Sequence, residues 1–410
     1  MAAVSLEEAR RLVLEGCRPL PFARERLGAA VGLATSEPVM AANAVPPFDN
    51  TAMDGYAVRA ADTSSAPVTL EVIGTIAAGD TGDLAVGPGQ AARIMTGAPI
   101  PPGADAVVMV ERTRRQGDDK VVVEVAATPG DHVRRTGDDI RPGQEVVPAG
   151  TTLTAAHIGV LASVGADPVA VTRRATVGVL STGDELAPPG APLKRGQIRD
   201  SNRPTLLALL EQAGCRPVDL GAVGDDEAAI THALEQGLSA CDALLTSGGV
   251  SVGDFDYVKV VLDRLSGGGM RWMQVAIRPA KPLAFGTVGA KPVFGLPGNP
   301  VSSVVSFELF ARPALRQMMG HPHIDRPRAT AVAEEDLRRS PDGKLHLVRV
   351  VASFTPDGTL RIRSAGGQGS HILTGLAAAN ALALLPDGPG VSAGEKTDIV
   401  LLADPLSLRP

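Results

Sequence analysis

Ala175-Thr176-Val177-Gly178-Val179-Leu180-Ser181-Thr182-Gly183-Asp184-Glu185-Leu186 is a short uncharged run that ends on two hydroxyls, a glycine and two acids. Its first six residues read as a strand buried on both faces, and the remainder as a turn beyond the strand's carboxyl end. Working outward, the same texture repeats. A helix is predicted over 205–213, closed by Gly214, then a strand over 217–223 and a helix over about 227–238. A strand over 243–246, a helix from about Tyr257 and a fourth strand near 292–294 follow. Asn299-Pro300 then has the order of an N-cap and a proline at the first helical position. Strands alternating with helices predict a mostly parallel sheet covered on both faces.

The flanks differ. Ser5 with Glu8 three residues on is a capping-box pattern, and Leu6, Ala9, Leu12 and Val13 recur at helical spacing, so a helix is predicted to about Glu15. Thr154 caps a second predicted helix over 155–164. Between them, from about Val58 to Pro148, short β-rich runs are separated by Gly, Pro and Asp clusters. Beyond about Arg326 short strands return. The expected architecture is multidomain α/β plus β. A helical stalk (1–22 and 142–172) is interrupted by a β-rich insert (23–141), followed by the α/β domain (173–322) and a small C-terminal β domain (323–410). The length of 410 residues requires such division, because single cores stop growing near ~250–300 residues.

Lys and Arg total 39 against 45 Asp and Glu, a net charge of −6 without a basic tract, which argues against nucleic acid or an anionic membrane as the main partner. Cys17, Cys215 and Cys241 are odd in number and far apart, so neither a disulfide framework nor a zinc knuckle is expected. The N-terminus carries Glu7 and Glu8 where a signal peptide needs basic and apolar residues, and a cytoplasmic location is expected. Gly343-Lys344 is followed by Leu345, which excludes a Walker A loop. His321 and His323 flank a proline and read as linker, and no nucleophile–His–acid set can be placed.

Three Gly-rich segments fall beyond the carboxyl ends of predicted strands, where α/β sheets bind ligands: 181–186, 246–254 and 295–303. Each alone is explained by a strand-to-helix turn. Three at one sheet edge read better as a phosphate cradle, in which backbone N–H groups converge. Acids accompany them: Asp184, Glu185, Asp225-Asp226, Asp254 and Asp256. Acids beside a phosphate site make sense with Mg²⁺ between them, since that ion takes one or two carboxylates plus substrate phosphate. Helix capping is the competing reading for Asp225-Asp226, which precede Glu227. Lys281, framed by Pro279 and Pro282, has a cation whose direction the backbone fixes. The segment 46–58, with Asp49, Asp54 and Tyr56, resembles no simple helix or strand.

Together these strings resemble the molybdopterin molybdenumtransferase family, the MoeA-type proteins related to the E domain of gephyrin. The resemblance rests on FDNTAMDGYAV (48–58), RIMTGAPIPPG (93–103), GDDI (137–140), STGDEL (181–186), SGGVSVGDFD (247–256), GLPGNPVS (295–302) and QGSH (368–371), in family order. It implies a homodimer of four-domain subunits, with a cleft shared between subunits. Adenylylated molybdopterin and molybdate would be substrates and Mg²⁺ the cofactor, with AMP released as molybdenum enters the dithiolene. It also brings in two candidate partners, the molybdopterin adenylyltransferase and molybdoenzyme apoproteins.

Carried onto this chain, the family's acidic positions fall on Asp54, Asp139, Glu185, Asp225 or Asp226, and Asp256. The catalytic set is then Asp54, Asp139, Glu185, Asp226, Asp256 and Lys281, and the metal set Glu185, Asp225 and Asp256. Cofactor binding would involve Thr182, Gly183, Ser247, Gly248, Gly249, Val250, Ser251, Gly253, Arg278, Pro297, Gly298, Asn299, Pro300, Ser302, Arg349 and Ser370, and Lys281, Ser370 and Arg349 match positions associated with oxyanion or phosphate binding. Arg278 and Ala280 depart from the lysine and glycine common in the family, and Arg is a planar fork rather than a compact ammonium. Two other readings compete. A molybdopterin adenylyltransferase shares the SGG and PGNP loops but normally has the α/β domain alone. A gephyrin-like scaffold would have no reason to keep the acids.

Overall fold

The computed structural model describes residues 3–249 and 257–403. At its centre is a six-stranded sheet: β1 (Thr176–Thr182), β2 (Arg216–Val223), β3 (Ala243–Ser247), β4 (Arg271–Gln274), β5 (Pro282–Val288) and β6 (Lys291–Leu296), ordered β2-β1-β3-β6-β5-β4. The first four in that order run parallel, and β5 and β4 add an antiparallel edge. The sheet is therefore mixed and mostly parallel. β4 and β5 are missing from the sequence reading because the apolar run into β6 is broken by Gly and Pro and carries no clean alternation.

Period-2 alternation divides the apolar side chains between two cores. Val177, Val179 and Leu245 pack with Leu206 and Leu210 of the helix Asn202–Gln212 and with Val301 and Val305. Leu180, Leu244 and Val293 point the other way, onto Ile230 and Leu234 of the helix Glu227–Ala240 and Val261 and Leu262 of the helix Tyr257–Leu265.

The expected helical stalk is corrected in one respect. The helix Leu6–Glu15 buries Leu6, Ala9 and Val13 in the core of the α/β section, whereas Ala155–Ser163 contributes Leu161 to a separate small core with Leu27, Leu33, Val147 and Val171. Both helices show the predicted caps, Ser5 accepting from the amide of Glu8 and Thr154 from that of His157. What separated them is hydrophobic face: Leu6, Ala9 and Val13 form one apolar stripe that seeks the larger core. Between these helices lies a six-stranded sheet built from Gly55–Val58, Val68–Ile76, Gln90–Ile94, Ala106–Met109, Thr113–Gln116 and Lys120–Val123.

At the C-terminal end, Arg328–Ala333, Leu345–Phe354, Leu360–Ser364, Ala381–Leu385 and Lys396–Leu401 close into a ring. Leu345–Phe354 pairs with both Leu360–Ser364 and Ala381–Leu385, which leaves these strands without a free edge. The short strand Ile277–Arg278 pairs in parallel with Leu345 and His346, tying the segment before β5 to this barrel. His321, in the linker before the barrel, is buried and meets the Thr152 hydroxyl at 3.0 Å; burial pushes its pKa down to about 4. Among the described residues no helix is long and apolar enough to cross a membrane.

Candidate active site

The chain leaves β1 for β2 on one side and later reaches β3 on the other, so the carboxyl ends of β1 and β3 form a topological switch point. The register aligns Ser181 with Ser247, and Ser247 with Leu296, which brings all three Gly-rich loops to one edge of the sheet. They open onto a cleft of about 880 Å³. Of the residues singled out from the sequence, Thr182, Gly183, Glu185, Asp225, Ser247, Gly248, Gly249, Pro297, Gly298, Asn299 and Pro300 line it, and so do Asp200, Asn202, Tyr257 and His371, which the sequence does not single out.

Gly248 shows why the loops need glycine. Its φ is +97°, and a Cβ there would stand 2.8 Å from the carbonyl oxygen of Thr182. Only glycine lets the loop after β3 rest on the loop after β1. The helix begins at Asn202, three residues before its predicted start, which brings Asn202 to the cleft. Asp200 Oδ1 accepts from the amides of Asn202 and Arg203, both at 3.1 Å, and starts the helix. Asp200-Ser201-Asn202, a run of capping residues before an apolar helix, is the signal that could have found it.

A second cleft, about 990 Å³, lies between the α/β section and the barrel. Arg278, Lys281, Ser302 and Ser370 line it together with Arg339, Lys344 and His346. Pro282 lines both clefts, so Lys281 sits beside their junction. Ala280 holds a φ of +70° and is 2% exposed, and the Lys281 carbonyl accepts from the amide of Val275 at 2.7 Å; these fix the backbone on which Lys281 stands. The amide of Val301 donates to the Ser370 carbonyl at 3.0 Å, which docks the QGSH loop on the start of the helix Pro300–Ser306.

Two predicted residues do other work. Asp226 caps the helix Glu227–Ala240, accepting from the amide of Ala229 at 2.7 Å, while Asp225 lines the first cleft. Of the two acids, Asp225 is the one on the cleft wall, and Asp226 is engaged at the helix start. Arg349 lies 0% exposed under the QGSH loop and lines neither cleft. Its Nη2 donates to the carbonyls of Gly367 at 2.6 Å and Gly369 at 3.1 Å, and these bonds support the loop.

Asp54 and Asp139 line neither cleft of this chain. Asp54 accepts from both the amide and the hydroxyl of Thr96, at 2.7 Å each, which holds its carboxyl below the usual carboxylate range. Exposed Asp139 sits in the turn whose amide bonds the carbonyl of Val45. Val250, Ser251, Gly253, Asp254 and Asp256 fall outside the described residues. Among the described residues no group of three or more His, Cys, Asp or Glu is placed to hold a metal ion.

Family comparisons cover nearly the whole chain. Residues 4–165 match the MoeA N-terminal region (domain I and II), 178–317 a probable molybdopterin binding domain, and 330–402 the MoeA C-terminal region (domain IV). Molybdopterin molybdenumtransferase 2 of Mycobacterium tuberculosis is 42% identical over 96% of this chain and 98% of its own. The molybdopterin molybdenumtransferase of Haemophilus influenzae is 38% identical over 97% and 98%. A solved molybdopterin biosynthesis MoeA protein from Pyrococcus horikoshii superposes with a TM-score of 0.80 at 30% identity, covering 98% of this chain and all of that one. The chain belongs to the MoeA family. Its activity is that of a molybdopterin molybdenumtransferase, an enzyme of molybdenum cofactor biosynthesis.

Proposed function

We propose that adenylylated molybdopterin occupies the first cleft, that molybdate enters the second, and that molybdenum passes to the dithiolene where they join, with AMP released. The observation that carries this is the junction itself. A Gly-rich cleft suited to phosphate and a cleft lined by Arg278, Lys281, Lys344 and His346 share Pro282 as a common wall. Two anions that repel each other are held by separate donors: backbone N–H groups on one side and, on the other, the Arg278, Lys281 and Lys344 cations, which outnumber the acids Glu335 and Asp336 on that wall.

Glu185 and Asp225 supply two carboxylates on the wall of the first cleft, the donor set Mg²⁺ needs when substrate phosphate completes its shell. When bound, Mg²⁺ polarises phosphoryl oxygens. Glu185 folds its carboxylate over Gly183, and the amide of Asp225 donates to Asp184 Oδ1 at 2.9 Å, so the chain keeps the two acid-bearing loops together. Asp54 and Asp139 have no role within one chain's clefts. The reading gives them one in a homodimer, where each insert would reach the partner's cleft.

The test is turnover with adenylylated molybdopterin, molybdate and Mg²⁺. AMP formed together with active cofactor supports the reading. ATP consumption with molybdopterin alone would point to an adenylyltransferase, and tight binding without turnover to a scaffold. Sedimentation of the purified chain tests the dimer; a monomer at assay concentration removes the role assigned to Asp54 and Asp139.

A further inference from the structure

We propose that Asn202 is a positioning residue that sets the Ser247 hydroxyl as a hydrogen-bond donor toward the anionic ligand of the first cleft. The proposal rests on the placement of adenylylated molybdopterin in that cleft.

The orientation of one amide is fixed by its neighbours. Asn202 Nδ2 lies 2.7 Å from the Gly298 carbonyl oxygen and 2.8 Å from Ser247 Oγ. A carbonyl oxygen only accepts, so the nitrogen of the amide must face Gly298, and the alternative flip would set two oxygens against each other. With the amide so fixed, its two hydrogens go to Gly298 and to Ser247. Ser247 Oγ is therefore an acceptor toward Asn202, and its own proton remains to be given elsewhere. No donation from that hydroxyl to the protein is found among the described residues.

Ser247 is 4% exposed and lines the cleft, where a ligand oxygen is the available acceptor. A hydroxyl free to rotate would lose entropy and compete with water when an anion binds. One already committed as an acceptor on one side is preorganised as a donor on the other. The same amide bridges the loops after β3 and β6, so it also fixes the spacing of two walls of the cradle. The orientation leaves Asn202 Oδ1 buried with no partner. A buried acceptor without a donor is unfavourable, and the two bonds to Gly298 and Ser247 are what hold the amide that way round.

The experiment is a double-mutant cycle on full-length protein, reading affinity for adenylylated molybdopterin by calorimetry without molybdate. The variants are Asn202→Ala, Ser247→Ala and the double, with Asn202→Asp as the isosteric probe. Asp offers Ser247 an acceptor and so reverses its hydroxyl, while repelling the Gly298 carbonyl. Each single variant is expected to lose about tenfold, and the double no more than the worse single, because both remove one donated bond. Asn202→Asp should lose at least as much as Asn202→Ala. Additive losses, or an unchanged affinity in Asn202→Ala and Asn202→Asp, would overturn the role of Asn202. Wild-type protein that binds no adenylylated molybdopterin would instead overturn the reading beneath it. Should Asn202→Ala melt early, the folded Asn202→Asp and Ser247→Ala variants decide the question alone.

Discussion

Asp226 accepts a 2.7 Å hydrogen bond from the amide of Ala229 and so closes the first turn of the helix Glu227–Ala240, which leaves its neighbour Asp225 as the acid on the cleft wall. The pair separates stability from chemistry. Asp226→Ala removes an N-cap and should cost about 1 kcal/mol of stability, with molybdenum insertion nearly intact. Asp225→Ala should barely move the melting temperature and abolish insertion. Thermal unfolding and AMP release on the two variants check this, and the reverse pattern would return Asp226 to the active site.

The α/β section was legible because buried strands and helix-capping residues have local signatures. Ser181–Thr182, Ser247–Gly249 and Pro297–Pro300 fell at the sheet edge where they were expected, since each follows a charge-free apolar run. What the sequence hid was pairing and burial. Nothing local shows that β5 folds back on β6, or that Ile277–Arg278 joins the barrel. Arg349 sits in an alternating strand and gives no sign that the QGSH loop will close over it. Asp225 and Asp226 are chemically identical neighbours, and only the helix start distinguishes them.

Thr96 offers Asp54 two donors, and the backbone amide contributes more than the hydroxyl to holding that carboxyl low. The folded-state pKa lies below the unfolded value, so the interaction is present above about pH 3.9 and is lost as pH falls through the lower, folded value. Thr96→Val keeps the amide bond and removes the hydroxyl bond. The Asp54 pKa should therefore rise part of the way toward its ordinary value, read by carboxyl NMR titration. An unchanged titration would mean that the hydroxyl contributes nothing.

Gly248→Ala and Gly159→Ala make a matched pair. At Gly248 the left-handed backbone and the Thr182 carbonyl both oppose a methyl group, and strain of about 1–3 kcal/mol is expected in the cradle. Gly159 lies in the helix Ala155–Ser163 with nothing within 4 Å of an added Cβ. Alanine there should stabilise by about 0.5–1 kcal/mol. Calorimetric binding of adenylylated molybdopterin should weaken at least tenfold in Gly248→Ala and stay unchanged in Gly159→Ala. Equal binding by both variants would show that the two loops do not depend on their close approach.

Arg349 poses a sharper question, because burying a guanidinium is unfavourable unless it is paired. Nε and Nη1 have no partner, and burial pushes its pKa down. Among the described residues no carboxylate forms an ion pair with it. If Arg349 served the barrel alone, an apolar side chain of similar size would serve better. Its two bonds to the Gly367 and Gly369 carbonyls suggest a different return: they hold Gln368, Gly369 and Ser370 in place on the wall of the second cleft. Arg349→Met should therefore leave the melting temperature unchanged or raised, while the KM for molybdate rises about tenfold as the loop loosens. A melting temperature several degrees lower with an unaltered molybdate KM would show that the buried cation holds the barrel together and has no part in shaping the cleft.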